Sequence, residues 1–213
     1  MSANTPCKPD DTDGDNRWMD IHERFVHETK NEEPEVVFVG DGHVERLSQS
    51  EIYRELFAPM HCACFGISND TTSNILWRLQ NGEMDCFQPK AVVFLGGADN
   101  RCPASETLDG IKACIDVIRA KQPDSSIFVL KLPPRGKSPN PLRELTKEIN
   151  SGVRDALSHV ENCHVLDIDP GFVAHNGLID PGDMFDYRHF TNEGYKKAFE
   201  TVYVAIHSLV SPE

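Results

Sequence analysis

Positive charge is scarce in this chain of 213 residues: 21 Lys and Arg stand against 34 Asp and Glu, a formal net charge of −13. That shortage disfavours nucleic acid and anionic membrane surfaces, whose phosphates are held by Lys and Arg. There is no long apolar stretch and no recognisable signal peptide, so no membrane insertion is expected. The seven cysteines, Cys7, Cys62, Cys64, Cys86, Cys102, Cys114 and Cys163, include no C-x-x-C pair. The nine histidines show neither H-x-x-x-H nor H-E-x-x-H spacing. No metal and no cofactor are therefore expected. An odd number of thiols without a pairing pattern suits a reducing compartment, and a cytoplasmic location is expected. Repeats and an inter-domain linker are also missing. Residues 1–14, polar and acidic with Pro6 and Pro9, are expected to form a disordered tail, and residues 15–213 a single domain.

What is present alternates in period. Val36-Val37-Phe38-Val39 reads as a buried strand, broken by Gly40-Asp41-Gly42 and followed by a helical stretch. Further strands are expected at 61–66, 91–95, 127–132 and 163–168, the last with the alternation of an edge strand. Helices are expected over 15–30, in one or two short pieces over 47–57, and over 72–81, 104–121, 141–158 and 191–209. Parallel strands need crossovers, so this order implies a five-stranded parallel sheet with helices on both faces, of flavodoxin-like strand order.

In such a sheet the loops after the strands gather on one edge. Four of them are polar: Gly40-Asp41-Gly42, Gly66-Ile67-Ser68-Asn69-Asp70, Gly96-Gly97-Ala98-Asp99-Asn100 and Asp186-Tyr187-Arg188-His189. The last places a carboxylate and an imidazole three residues apart, a spacing that lets Asp186 orient a ring whose other nitrogen faces a reacting group. The same two residues could equally bond each other only to close the last loop. Gly42 could serve the turn alone, and His43, His61 and His164 read as surface or packed residues.

Together these loops resemble the SGNH (GDSL-like) hydrolase family, and within it the family of platelet-activating factor acetylhydrolase Ib alpha subunits. The strings that carry the resemblance include Pro34 to Asp41, Ile52 to Phe57, Leu76 to Glu83, Pro133 to Gly136, Asn140 to Arg143 and Asp183 to His189. The resemblance implies a three-layer α/β/α fold and a Ser-His-Asp triad that hydrolyses small acyl esters, notably the acetyl group of an ether phospholipid. It also implies a homodimer and a WD-repeat partner, the lissencephaly-associated regulator of dynein. By the same resemblance the aspartate and histidine fall on Asp186 and His189, and the nucleophilic serine on Gly42. The oxyanion-hole glycine falls on Asn69 and the oxyanion-hole asparagine on Asp99, with Asn100 beside it.

These departures set the functional expectation. Glycine has no oxygen with which to form an acyl-enzyme. Losing one oxyanion donor costs about 3–4 kcal/mol of transition-state energy. An ionised Asp99 about 4 Å from the oxyanion, at an effective dielectric near 20, would repel it by roughly 4 kcal/mol. Ser68 and Ser48 are the nearby hydroxyls, and neither lies in the strand-to-helix turn. The chain is therefore expected not to be an enzyme but an inactive homologue that acts by homodimerisation and protein binding. The alternative is a weak or altered acetyl-ester or phospholipid hydrolase that uses a substitute nucleophile or a water activated by His189.

Overall fold

The structure, a computed structural model, describes residues 2–210. The expected ends of the tail and the domain at residues 1 and 211–213 lie outside the described residues. In chain order the elements are α1 (Arg17–Asn31), β1 (Val36–Gly40), α2 (Gly42–Leu47), β2 (Cys62–Gly66), α3 (Thr72–Gln80), β3 (Ala91–Leu95), α4 (Ala104–Lys121), β4 (Ser126–Leu130), α5 (Pro141–Ala156), β5 (Cys163–Leu166) and α6 (Asn192–Val210). Between α2 and β2 the chain forms a π turn at Tyr53–Phe57 and a 3-10 turn at Ala58–Met60. A single helix cannot continue there, because Pro59 lacks the N–H that the ladder needs.

The five strands are all parallel, in the order β2-β1-β3-β4-β5, so the chain has the flavodoxin-like arrangement with β5 on an edge. β1 and β3 are buried along their whole length, as parallel strands covered on both faces must be. Alternation of side chains divides the two faces. Phe38 points to the side where Phe57 and Phe199 of α6 meet it. Phe65 of β2 points to the other side and packs on Phe25 of α1, 4.9 Å between ring centres. On that side α3 lies against α4, where Thr72 fits into the space left by Gly110.

Residues expected to be a disordered tail lie instead along α3. Ala3 is buried, its carbonyl accepts from Thr72 Oγ1 at 2.9 Å, and the Cys7 N–H donates to Ser73 O at 3.2 Å. The composition is that of a tail, but α3 begins with Thr72, Ser73 and Asn74, whose side chains supply donors to this backbone. Among the described residues no helix is long and apolar enough to cross a membrane.

A charged residue lies at the centre of this apolar packing. Arg78 of α3 is fully buried. Its Nε donates to Asp70 Oδ2 at 2.8 Å and its Nη1 to Glu83 Oε2 at 2.5 Å. Its Nη2 donates to the carbonyl of Gly40 at 2.9 Å, and both Nη atoms reach that of Phe65. One guanidinium thus ties the carboxyl ends of β1 and β2, the two strands that lead into the site. Removing it leaves two buried carboxylates without their counter-charge. Arg78→Met is expected to lower unfolding free energy by about 3–5 kcal/mol, read as a lower urea midpoint; a loss below about 1 kcal/mol would show the network to be dispensable.

Candidate active site

The turn after β1 is built by Asp41, whose side chain accepts the His43 N–H at 2.9 Å and so caps α2. Across from it, an added Cβ at Gly66 would overlap the backbone nitrogen of Glu45. The end of β2 and the first turn of α2 can touch only because residue 66 is glycine. That approach carries the next loop onto the turn. A Cβ at Gly42 would stand 3.0 Å from Ser68 Oγ and 3.4 Å from Ser68 Cα. The space a serine at position 42 would use is thus partly occupied by the side chain of Ser68. From its place in the sequence Ser68 is remote from the strand-to-helix turn; the Gly66 contact brings it there. The Ser68 hydroxyl donates to Glu45 Oε2, as does its N–H at 2.7 Å, and the other oxygen of Glu45 accepts from Arg17 at 3.3 Å. Ser48 is exposed and donates back to the Glu45 carbonyl at 2.7 Å.

Asp186 and His189 are brought together. His189 Nδ1 lies 2.6 Å from Asp186 Oδ2, while Asp186 Oδ1 accepts the N–H of His189 at 2.7 Å and of Arg188 at 3.1 Å. Tyr187, with φ 60°, makes the turn tight enough for this. Burial would raise the Asp186 pKa, but these hydrogen bonds hold it below the usual carboxylate value. Burial and the charges of His43 and Arg188 outweigh Asp186 and hold the His189 imidazole below its ordinary 6.5. His189 is therefore neutral at pH 7, with Nδ1–H on Asp186 and Nε2 as a free base.

The two positions expected from the resemblance at the oxyanion hole, Asn69 and Asp99, behave differently. Asn69 adopts φ 68°, a left-handed conformation that asparagine tolerates better than most residues. Its side chain is exposed and lines a groove of about 400 Å³ walled by residues 8–19. Among the described residues neither the Gly42 nor the Asn69 N–H donates to another group. A backbone donor is unaffected by a change of its own side chain, so two donors at this edge remain available. Asp99 is buried and accepts from Arg188 Nη2 at 2.5 Å, with Arg135 Nη1 at 3.9 Å. The expectation of a lone carboxylate facing an oxyanion is thereby revised, since a guanidinium offsets its charge. Asn100 does not stand in as a donor, because its side chain is committed to the N–H and hydroxyl of Thr72, both at 2.9 Å.

His43 is a packed residue of unusual surroundings. Its Nδ1 is 2.9 Å from Asp41 Oδ1 and its Nε2 is 3.2 Å from the carbonyl of Arg188. Each ring nitrogen faces an acceptor, an arrangement that favours the doubly protonated ring. Burial opposes that charge, but Asp41 and the Arg188 carbonyl overcome it and raise the pKa above 6.5. The ring lies 5.7 Å from that of His189. His43, Arg188 and Arg135 are the site residues that sequence reasoning passed over. The adjacency of Arg188 to His189 was the available signal; the pairing of Arg188 with Asp99 needs the fold. Among the described residues no group of three or more His, Cys, Asp or Glu is placed to hold a metal ion.

Residues 38–197 match the GDSL-like Lipase/Acylhydrolase family. Over 209 residues the chain is 46% identical to the human platelet-activating factor acetylhydrolase IB subunit alpha1, covering 98% of this chain and 89% of that protein. It is 44% identical to the alpha2 subunit of Rattus norvegicus, covering 98% and 91%. A GDSL-like lipase from Bacteroides thetaiotaomicron has the same fold, with a TM-score of 0.74, 18% identity and coverage of 87% and 97%. A carbohydrate acetylesterase from Sinorhizobium meliloti shares it at a TM-score of 0.65, 14% identity and coverage of 83% and 100%. These findings correct the expectation of a non-enzyme. Relatives 46% identical are named acetylhydrolases, the matching family is one of hydrolases, and nothing in the comparison shows a loss of activity.

The raised pKa of His43 has a thermodynamic consequence. Its contribution to stability is complete below 6.5, its ordinary value, and is lost as pH rises through the folded value above 6.5. His189, shifted the other way, acts only below 6.5. Urea unfolding measured upward from pH 6.5 is expected to show falling stability, and the slope should be absent in His43→Gln. An equal slope in the variant would mean that another group titrates.

Proposed function

Because the chain belongs to the GDSL-like lipase/acylhydrolase family and is a homologue of the platelet-activating factor acetylhydrolase IB alpha subunits, we propose that it hydrolyses small acyl esters, the acetyl ester of a phospholipid among them, with Asp186–His189 as its general base. The observation that carries this reading is the 2.6 Å bond that leaves a neutral His189 with Nε2 free. A water oxygen attacks the acyl carbon while Nε2 takes its proton. The carbonyl oxygen becomes an oxyanion facing the Gly42 and Asn69 N–H groups. The ester C–O bond then breaks, and the imidazolium returns the proton to the leaving alkoxide, giving a carboxylic acid and an alcohol. Without an acyl-enzyme on residue 42, turnover falls far below that of an intact triad, whose nucleophile is worth about a millionfold.

A second reading rests on the 3.0 Å approach of Ser68 Oγ to the position of a Cβ at residue 42. There Ser68 is the nucleophile, and its proton passes to Glu45 as Oγ bonds the acyl carbon. The ester C–O bond breaks and the leaving alkoxide takes that proton. A water that gives its proton to His189 then releases the carboxylic acid, while the imidazolium reprotonates Ser68 Oγ. One experiment tests both. Hydrolysis of a phospholipid acetyl ester and a chromogenic acetate is measured for the parent, His189→Ala and Ser68→Ala, alongside labelling with a fluorophosphonate. Activity should be lost in His189→Ala, and it should rise with pH through a His189 pKa below 6.5. Labelling of Ser68 together with loss of activity in Ser68→Ala selects the serine route; no label and unchanged activity selects water. Equal rates for the parent and His189→Ala would overturn the hydrolase reading altogether.

Self-association and a basic WD-repeat partner belong to the same proposal. The relatives are named as subunits, and the net charge of −13 suits a basic protein surface. Light scattering is expected to give twice the chain mass, and a propeller domain is expected to produce heat on titration. A monomer that gives no heat would remove both.

A further inference from the structure

A cleft of about 590 Å³ opens beside His189, between the segment 135–142 and the turn 186–189. In a chain with 13 more acidic than basic residues its charge is inverted. The cations Arg135, Lys137 and Arg188 line it against the single carboxylate of Asp186, which is already engaged by His189. Most of their donors are not used within the protein. Arg188 gives Nη2 to Asp99, yet its buried Nε has no partner. Among the described residues the Arg135 side chain donates only through Nη1, to the carbonyl of Ala98 at 3.1 Å. Lys137 is exposed, sits over the Tyr187 ring at 5.9 Å and forms no ion pair among the described residues. Burial, and after it the charges of Arg188 and the nearby Arg101, lower the Arg135 pKa against the pull of Asp99. Asp99 behind the arginines fixes the Arg188 guanidinium in place but leaves the cleft with excess positive charge.

We propose that this cleft binds a small oxyanion carried by the substrate ester, a phosphate or carboxylate group, with Arg135 and Arg188 donating to it and Lys137 supplying a point charge. The proposal rests on the hydrolase reading for its purpose, since the cleft shares His189 with the dyad, but not for its chemistry. Guanidinium groups match planar and tetrahedral oxyanions through paired N–H donors, whereas an ammonium adds attraction without geometry. A cationic cleft in an acidic protein also focuses the field, so it draws an anionic ester while the rest of the surface repels it. The site thus selects esters that carry a negative charge next to the scissile acyl group over neutral ones.

Isothermal titration of inorganic phosphate and of acetate into the full chain tests this without any turnover. Saturable one-site binding is expected, weakened by added salt. It should fall roughly tenfold or more in Arg188→Gln and about threefold or more in Lys137→Gln. Lys137 is the control for folding, because its exposed side chain forms no hydrogen bond and no ion pair among the described residues and touches only the Tyr187 ring. The anion that binds more tightly identifies the phosphate-bearing or the carboxylate-bearing ester as the substrate class. Absence of binding by both anions, or affinities equal to the parent's in both variants, would overturn the proposal. Such a result would leave the His189 measurement standing, and a failure of hydrolysis would not alter the anion affinities.

Discussion

The buried guanidinium of Arg78 is the contact on which the site's loops depend. It sits where the ends of β1 and β2 would otherwise present carbonyls to an apolar interior, and it satisfies both while holding Asp70 and Glu83. A buried carbonyl or carboxylate without a donor is costly, so each partner requires the others. Asp70 extends the network to α1 through the indole N–H of Trp18 at 2.7 Å, and Glu83 through His22 at 2.8 Å. The strand ends, the first helix and the loop Ser68-Asn69-Asp70 are therefore fixed by one connected set of charges. Hydrophobic burial makes the sheet, but this polar set decides where the loops stand.

On that frame the site differs from a serine triad in a coordinated way. Where Gly42 offers no side chain, Ser68 fills part of the space and is tied to Glu45. At position 99 the carboxylate is matched by Arg188. Histidine at position 43 is held between Asp41 and the Arg188 carbonyl. Arg188 takes part in two of these arrangements and directly precedes His189, so the charges around the dyad form one system rather than separate changes. Burial, with the charges of His43 and Arg188, keeps His189 neutral, the state a general base requires.

Much of this could be read from the chain. The run Val36 to Val39, the Gly-Gly break after Leu95 and the helical spacing over 104–121 each fixed an element without reference to the rest, because buried strands and amphipathic helices declare themselves by period. The pair Asp186–His189 was legible because its members are three residues apart and the bond between them is local. The tail was not legible for the opposite reason: its composition is polar, and residues 2–7 lie along α3 through the donors of Thr72, Ser73 and Asn74 and the carbonyl of Ser73. The expectation of an inactive chain rests on three local departures, at Gly42, Asn69 and Asp99, whereas relatedness to named acetylhydrolases across 98% of the chain speaks to the whole molecule.

The sequence by itself determined the class of fold, the alternation of strands and helices, the missing oxygen at Gly42 and the local Asp186–His189 pair. Each of these is set by residue identity and by neighbours a few positions away. Only the tertiary structure decided that Ser68 stands against Gly42, that Asp99 meets Arg188 across 89 positions of chain, and that Arg135, Lys137 and Arg188 share one cleft. Those contacts come from how the strand ends converge, and convergence follows from the packing of the sheet, which no short stretch of sequence encodes.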